Sequence, residues 1–307
     1  MVYFVLRRLI SAAPTLFVVV TASFFLMRFA PGGPFSLERP LPPEVMANLM
    51  KTYNLDQPLW HQYIHYVGNA LKGDFGPSFV YKGQSVFELL TSGLFYSFIL
   101  GIWALLIGVL AGVAIGIVAA LNHNKLPDYG AMTVSTIGIT IPNFVIGPLL
   151  ILLFSIYLGW LPAGGWGSGG AANLLLPIIT LALPQIAIYA RLVRGAMIEA
   201  LHSDHIRTLK AYGLPKFIIV VVHALRGAML PAVSYMGPSA AALLTGSVVV
   251  ETIYSVPGIG RYFVIGALNR DYTLVMGTVI LIATLVIIFN LLIDVLYGVL
   301  DPRVRYD

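Results

Sequence analysis

The sequence predicts an all-α integral membrane protein with six transmembrane helices, and two observations predict it. Of 307 residues, 58% are hydrophobic and only 10% are charged, with a mean hydropathy of +0.88, whereas a soluble domain carries about 25% charged residues. The apolar residues also gather into runs of about 20, each long enough to cross a bilayer core of roughly 30 Å. The spacing predicts spans over Leu9–Ala30, Phe95–Leu121, Ala131–Leu158, Leu174–Val193, Ala228–Val250 and Leu274–Val299.

Span one follows Arg7 and Arg8. Its start resembles a signal peptide, but the apolar run is too long and no small-residue cleavage site follows, so it reads as a membrane helix. Residues 31–94 form the longest non-membrane segment and are expected to fold as a small external cap. Pro58 sits where a helix can begin. Trp60, Ile64, Val67 and Leu71 then recur at helical spacing as an apolar stripe, expected to lie on the bundle. Asp74-Phe-Gly-Pro-Ser78 reads as a turn. Residues 95–307 hold the remaining five spans.

Inside the spans, polar residues are costly and suggest an interior face. Span two instead carries Gly108, Gly112 and Gly116, a ridge of small residues that reads as helix packing. Span three has Thr136, Thr140, Asn143 and Gly147 at helical spacing, with Pro142 and Pro148 loosening its backbone. Span five offers Tyr235, Ser239, Ala242 and Gly246, and span six has Asn290, Asp294 and Tyr297 on one stripe. Thr136, Thr140, Asn143, Tyr235, Ser239, Asn290 and Asp294 are therefore candidates for a translocation path. The same residue types also bond neighbouring helices together, so packing is the competing reading for each stripe.

Lys and Arg in short flanks set orientation. Arg7 and Arg8 begin the chain, Arg303 and Arg305 end it, and Arg191, Arg194, Arg207, Lys210, Lys216 and Arg226 lie between spans four and five. With six spans, all fall on one side, which predicts cytoplasmic termini. The net charge of +5 is thus topogenic and forms no nucleic-acid stripe. The absence of cysteine excludes disulfides, thiolate metal sites and a cysteine nucleophile.

The connection at 194–227 is far longer than a simple helix link needs, so it is expected to do a task. Ser203 or Asp204 can cap a short helix, Gly213 can supply its left-handed end, and Pro215 cannot continue it. Ile206, Leu209 and Tyr212 share one face of that helix, while Arg207 and Lys210 lie on another. Such a stub either lies on the bilayer, apolar face down, or docks into a groove of a partner.

The sequence around the stub favours a partner. Arg207-Thr-Leu-Lys-Ala-Tyr-Gly-Leu-Pro215, with His223-Ala-Leu-Arg-Gly-Ala-Met-Leu-Pro231 beyond it, resembles the cytoplasmic coupling loop of binding-protein-dependent importer permeases. That family carries a Glu-Ala-Ala-x-x-x-Gly pattern followed by Ile-x-Leu-Pro. Gly213 and Leu225 match it; Arg207, Thr208 and Leu209 stand at the Glu-Ala-Ala positions, and His223 and Arg226 at the Ile and Pro positions. The departures resemble the peptide-transporting branch, which reads Arg-Thr-Ala and His-Ala-Leu there. Likeness extends over nearly the whole chain, through Arg28-Phe-Ala-Pro-Gly32, Gly73-Asp-Phe-Gly-Pro-Ser78, Glu251-Thr-Ile-Tyr254, Pro257-Gly-Ile-Gly260, Ala267-Leu-Asn-Arg-Asp-Tyr272 and Asp294-Val-Leu-Tyr297. All are similar to the B-type permease of oligopeptide importers.

The resemblance implies a type I ATP-binding-cassette importer bundle in a bacterial inner membrane, with the insertion after helix one on the periplasmic side. It implies a second homologous permease, two ATPases carrying ATP and Mg, a substrate-binding protein that delivers peptide, and surrounding lipid. Ile206, Arg207, Thr208, Leu209, Lys210, Tyr212 and Gly213 are then the expected ATPase-coupling residues, with Ile206, Leu209 and Tyr212 as buried anchors. The chain itself has no phosphate-binding loop of the G-x-x-x-x-G-K-[ST] kind, so it is expected to bind no cofactor and to catalyse nothing. Related permeases handle dipeptides, glutathione, nickel chelates or antimicrobial peptides.

Two rival functions fit less well. An intramembrane zinc protease would need Glu at Gln62 in His61-Gln-Tyr-Ile-His65, and His202 and His205 make no better metal site. An ion-coupled transporter or channel would carry several ionisable residues at midplane, where this chain offers only Asp294.

Overall fold

The computed structural model describes residues 2–29, 43–52, 54–167 and 170–300, with side chains except at 2–9, 45, 49, 52 and 293–300. Among the described residues there are helices and one isolated bridge, Pro77 to Ser85, with no strand. The helices are α1 Val2–Phe29, α2 Pro43–Thr52, α3 Leu59–Ala70, α4 Val86–Leu121, α5 Leu126–Thr140, α6 Asn143–Leu150, α7 Ala171–His202, α8 Asp204–Ala211, α9 Lys216–Ile218, α10 Leu225–Leu244, α11 Val248–Ile253, α12 Ile259–Leu268 and α13 Tyr272–Leu300. A π-helical turn, Ile151–Tyr157, prolongs α6, and another, Ile219–Ala224, joins α9 to α10.

Five stretches are long and apolar enough to cross a membrane: Ile10–Phe29, Val86–Leu121, Ala171–His202, Lys216–Ile253 and Tyr272–Leu292. The third expected span is broken. Leu126–Thr140 and Asn143–Tyr157 meet at a bend of 103°. Pro142 has no N–H to extend the first helix, and its ring drives the preceding Ile141 to an extended φ of −80° and ψ of 120°. Local loosening was expected at this proline; the backbone turns a corner there.

α4 and α7 form the centre of the bundle. The glycine ridge explains how they approach. A Cβ at Gly108 would stand 2.6 Å from Gln185 Cβ, one at Gly112 would stand 2.6 Å from Tyr189 Cβ and 2.8 Å from Ile186 O, and one at Gly116 would stand 2.7 Å from Ala190 O. Backbone and Cβ atoms of α7 fill the space, which is the close contact that small residues permit between membrane helices. α10 and α13 close the other side of α4, and α1 packs chiefly on α13.

The segment between α1 and α4 places its second helix on α1. Tyr63 Oη and Thr21 Oγ1 are 2.7 Å apart, and the Tyr63 and Phe24 rings meet edge to face at 5.3 Å. The expected apolar stripe does not make this contact: Trp60, Ile64 and Leu71 are 59%, 60% and 84% exposed. Docking uses the face that brings hydroxyl and ring together, because a buried hydroxyl needs a partner. The stripe is left facing outward.

Asp271 ties this segment to the bundle. Its carboxylate is fully buried; Oδ2 accepts from Ser78 Oγ, Phe79 N and Val80 N at 2.5, 2.9 and 3.1 Å. Oδ1 accepts from Thr273 Oγ1 and Leu274 N at 2.9 and 3.0 Å, capping α13.

Gly112→Val should lower the thermal midpoint of the purified protein by an amount corresponding to roughly 1–3 kcal/mol or more, the cost of overpacking. Gly195→Val, at a position of α7 with open space around its Cβ, should change it little. Equal melting of the two variants contradicts the ridge.

Candidate coupling surface

α8 begins and ends by local chemistry. Ser203 Oγ accepts from Ile206 N at 3.4 Å and donates to Ala200 O at 2.8 Å, so one hydroxyl closes α7 and opens α8. At the other end Gly213 takes φ +77°, a left-handed conformation that glycine adopts without a Cβ clash. Gly213 N donates to Lys210 O at 3.0 Å and Leu214 N to Leu209 O at 3.3 Å, the paired bonds of a Schellman end.

Burial divides α8 into two faces. Ile206 is 1% exposed and packs with Tyr189, Val193 and Met197 of α7 and with Ile219, Val220 and Ala224 of the π turn. Leu209 and Leu214 join the same cluster from its edge. Arg207, Thr208, Lys210 and Gly213 are exposed, and Tyr212 is 78% exposed. Ile206 and Leu209 therefore do not stand beside Tyr212 as anchors offered to a partner. They seat the helix on its own bundle, since an eight-residue helix has no core of its own and must bury its apolar side. The Arg207–Asp204 pair, 3.2 Å apart, is exposed at both ends and adds little.

The long connection expected at 194–227 is mostly helix. α7 runs on to His202 and α9 starts at Lys216, so α8 and its two turns alone bridge them. This exposes Phe217, at 75%, on the short α9 that follows α8. Sequence reasoning missed Phe217 because it counted the residue inside an irregular loop. An aromatic just after Pro215, a helix-starting residue, was the available signal.

A second missed feature connects α5 to the same end. Asp128 is 1% exposed and is held bidentately by Arg194 of α7, with Nε–Oδ1 at 2.5 Å and Nη2–Oδ2 at 2.7 Å. Asn124 N also donates to Asp128 Oδ2, at 2.9 Å. From the sequence alone Arg194 reads only as topogenic charge. The planar guanidinium fork matches a carboxylate, which gives the pair direction as well as energy.

The candidate path residues separate. Thr136 and Thr140 are exposed on α5, each donating back to its own helix at 2.8 Å, to Met132 O and Thr136 O. Arg191 Nη2 approaches Thr136 Oγ1 at 3.4 Å. Asn143 is half-buried at the bend, and its Oδ1 has no hydrogen-bond partner. Ser239 is 2% exposed and lies 2.7 Å from Tyr189 Oη, while the Tyr235 and Tyr189 rings meet at 5.5 Å. Ser239 thus bonds α10 to α7 and offers no open surface. Asn290 is exposed on α13, and the side chain of Asp294 lies outside the described residues.

Residues 112–306 match the family described as binding-protein-dependent transport system inner membrane component, and residues 1–83 match its N-terminal companion. The chain belongs to this family. Its members' name and the apolar helices agree on a multi-pass inner-membrane protein. The chain is 51% identical over 306 residues, all of both chains, to the oligopeptide transport system permease protein OppB of Haemophilus influenzae and likewise to that of Escherichia coli. It is 42% identical over 305 residues, 99% of this chain and 98% of the other, to the dipeptide transport system permease protein DppB of Bacillus subtilis. In fold it is similar to a chain in the crystal structure of an amino acid ABC transporter with histidines, with a TM-score of 0.52 at 21% identity, covering 70% of this chain and 94% of that one. The matched range 112–306 includes α8.

Asp128→Asn should cost the folded protein roughly 1.5–3 kcal/mol, the contribution of a hydrogen bond to a charged group. Arg194→Ala added to Asp128→Asn should cost less than the sum of the two, because both changes remove one interaction. Additive losses in thermal melts contradict the direct pairing of Asp128 with Arg194.

Proposed function

We propose that this chain is one of two permease subunits of an ATP-driven importer that moves oligopeptides across the bacterial inner membrane. The full-length likeness to oligopeptide permeases supports the substrate class. In this reading the broken pair is the third of six spans, both termini are cytoplasmic, and residues 31–94 face the periplasm. A second permease completes the pathway, a binding protein delivers peptide, and two ATPases bind ATP and Mg. This chain binds neither.

The observation that carries the mechanism is the two-faced seating of α8. Its inner face is locked to α7 and the π turn through Ile206, so a push on its outer face moves those helices with it. Closure of the ATPases on ATP is then transmitted as a rigid-body rotation, provided that the outer face makes different contacts in the two nucleotide states. Arg207, Thr208, Lys210 and Tyr212 supply that face, and Phe217 is exposed on the next short helix, α9. Arg207 and Lys210 suit acidic groups, and Tyr212 and Phe217 suit an apolar groove. Thr136, Thr140, Asn143, Tyr235, Asn290 and Asp294 remain the proposed pathway residues, with Ser239 holding the wall together from behind.

Reconstituted with its partners, the complex should take up oligopeptide only with hydrolysable ATP; uptake driven instead by a proton or sodium gradient overturns the importer reading. Tyr212→Asp should cut peptide-stimulated ATP hydrolysis and uptake about tenfold or more, the effect of losing an anchor at an interface, while the protein melts as the wild type does. Leu209→Asp should instead lower the melting temperature, because it places a charge under the seated face. Wild-type uptake by Tyr212→Asp contradicts the outer-face assignment.

A further inference from the structure

α3 leaves one face without a protein partner. Gln62, Tyr63 and Tyr66 make its contacts with the rest of the chain: Gln62 Nε2 donates to Leu55 O at 3.2 Å and Gln57 O at 2.7 Å, and the Tyr63 and Tyr66 rings meet Phe24 at 5.3 and 6.4 Å. Leu59, Trp60, Ile64 and Leu71 make none of these contacts and are exposed. Four large apolar side chains on one short stretch mark an interaction surface.

Depth along α1 says what covers them. The Arg28 guanidinium lies 5.0 Å from the Tyr272 ring, so the end of the apolar stretch Ile10–Phe29 is level with the start of Tyr272–Leu292. Two membrane crossings end at that level, which marks the edge of the apolar core. Tyr63 reaches below it. Its hydroxyl is 2.7 Å from Thr21 Oγ1 and its ring stacks on Phe25 at 5.8 Å. Phe25 and Thr21 precede Arg28 by three and seven residues, which is roughly 5–10 Å at the helical rise per residue. Amphipathic helices that lie in a membrane surface sink to about that depth, 5–10 Å. At this level and above it, Leu26 and Phe29 of α1 are 72% and 70% exposed, so lipid already surrounds the helix on which α3 rests.

The sequence of α3 fits the same place. From Gln57 to Leu71 there is no Asp, Glu, Lys or Arg, and charges stand only just beyond each end, at Asp56 and Lys72. A helix on a water-exposed cap would carry about one charged residue in four. Trp60, Tyr63 and Tyr66 belong to the residue types that gather at membrane interfaces. The Tyr63 hydroxyl, costly to bury alone, is paired with Thr21. A water-soluble partner would have to meet the stripe below the edge of the apolar core, where lipid has direct access. We propose that α3 lies in the membrane surface, with Leu59, Trp60, Ile64 and Leu71 among the acyl chains of the leaflet on its side and with Asp56 and Lys72 at the headgroups. The importer reading makes that leaflet the outer one, and the inference rests on it for that name alone.

The test uses the assembled transporter in phospholipid vesicles, with cysteine-free partners and one nitroxide label at a time. Ile64→Cys and Trp60→Cys carry the label on the stripe, Asp56→Cys and Lys72→Cys on its charged ends, and Phe17→Cys on the lipid-facing side of α1. Collision with oxygen, which concentrates in lipid, should exceed collision with a water-soluble nickel chelate at Ile64 and Trp60 as it does at Phe17, with the order reversed at Asp56 and Lys72. Two stripe positions keep the result readable if one variant fails to assemble. Free access of the nickel chelate to both stripe labels places α3 in water and overturns the proposal. Labels reached by neither reagent show a protein cover, from the second permease or the binding protein, and overturn it as well. ATP-dependent peptide uptake, measured on the unlabelled complex, separates the two levels: uptake with water-exposed stripe labels sinks the placement of α3 alone, and lipid-exposed labels without uptake sink the importer reading alone.

Discussion

Ile206 joins two parts of the chain that would otherwise move independently. A helix of eight residues is too short to persist alone in water, so α8 exists because one face is buried between α7 and the π turn that follows it. Burial of one isoleucine contributes about 1.5–3 kcal/mol, and the Ser203 cap and Gly213 end satisfy the backbone at both termini. A helix held this way cannot also present those apolar residues to another protein. What it presents is the opposite face, and the proposed function follows from that division.

Force applied to α8 has a continuous path into the membrane. α8 bears on α7, and α7 lies against α4 along glycines whose missing side chains bring its backbone and Cβ atoms into direct contact. Close-packed interiors have low compressibility and transmit displacement. The Asp128–Arg194 pair adds α5 to the moving body. α5 ends at the 103° corner, where the exposed Thr136 and Thr140 and the unpaired Asn143 Oδ1 stand. At the far end of the bundle, the buried Asp271 carboxylate joins the 78–80 turn to the start of α13. The segment that follows α3 is therefore anchored to a helix of the bundle.

Much of this was legible in the sequence, for reasons that differ by residue. The apolar runs showed the membrane class because hydropathy acts over a whole helix and survives errors at its ends. Gly108, Gly112 and Gly116 showed a packing ridge because their spacing alone puts them on one face. Ser203, Gly213 and Pro215 bracketed α8 because caps are local chemistry. The faces were harder to read. Ile206, Leu209 and Tyr212 share helical spacing, yet Tyr212 is the C-cap and projects away, so periodicity could not tell seat from surface. Trp60 and Ile64 look like a buried stripe, but the bonds of Gln62 and Tyr63 decide which way α3 turns. Asp128–Arg194 and Ser239–Tyr189 are long-range pairs, invisible until α5, α7 and α10 are side by side.

The central claim is that α8 travels with its bundle as one rigid piece. The chain has no cysteine, so Ala211→Cys on α8 and His123→Cys at the end of α4 would carry the only spin labels in this subunit. Pulsed electron–electron distances between them, taken in the assembled transporter without nucleotide and with ATP trapped, test the claim most directly. The account requires the distance to hold within about 2 Å, no more than a small helix shift, while the distance from Ala211→Cys to the partner permease changes. A label-to-label distance that lengthens or splits with nucleotide would mean that α8 swings on its turns, and the lever would have no seat.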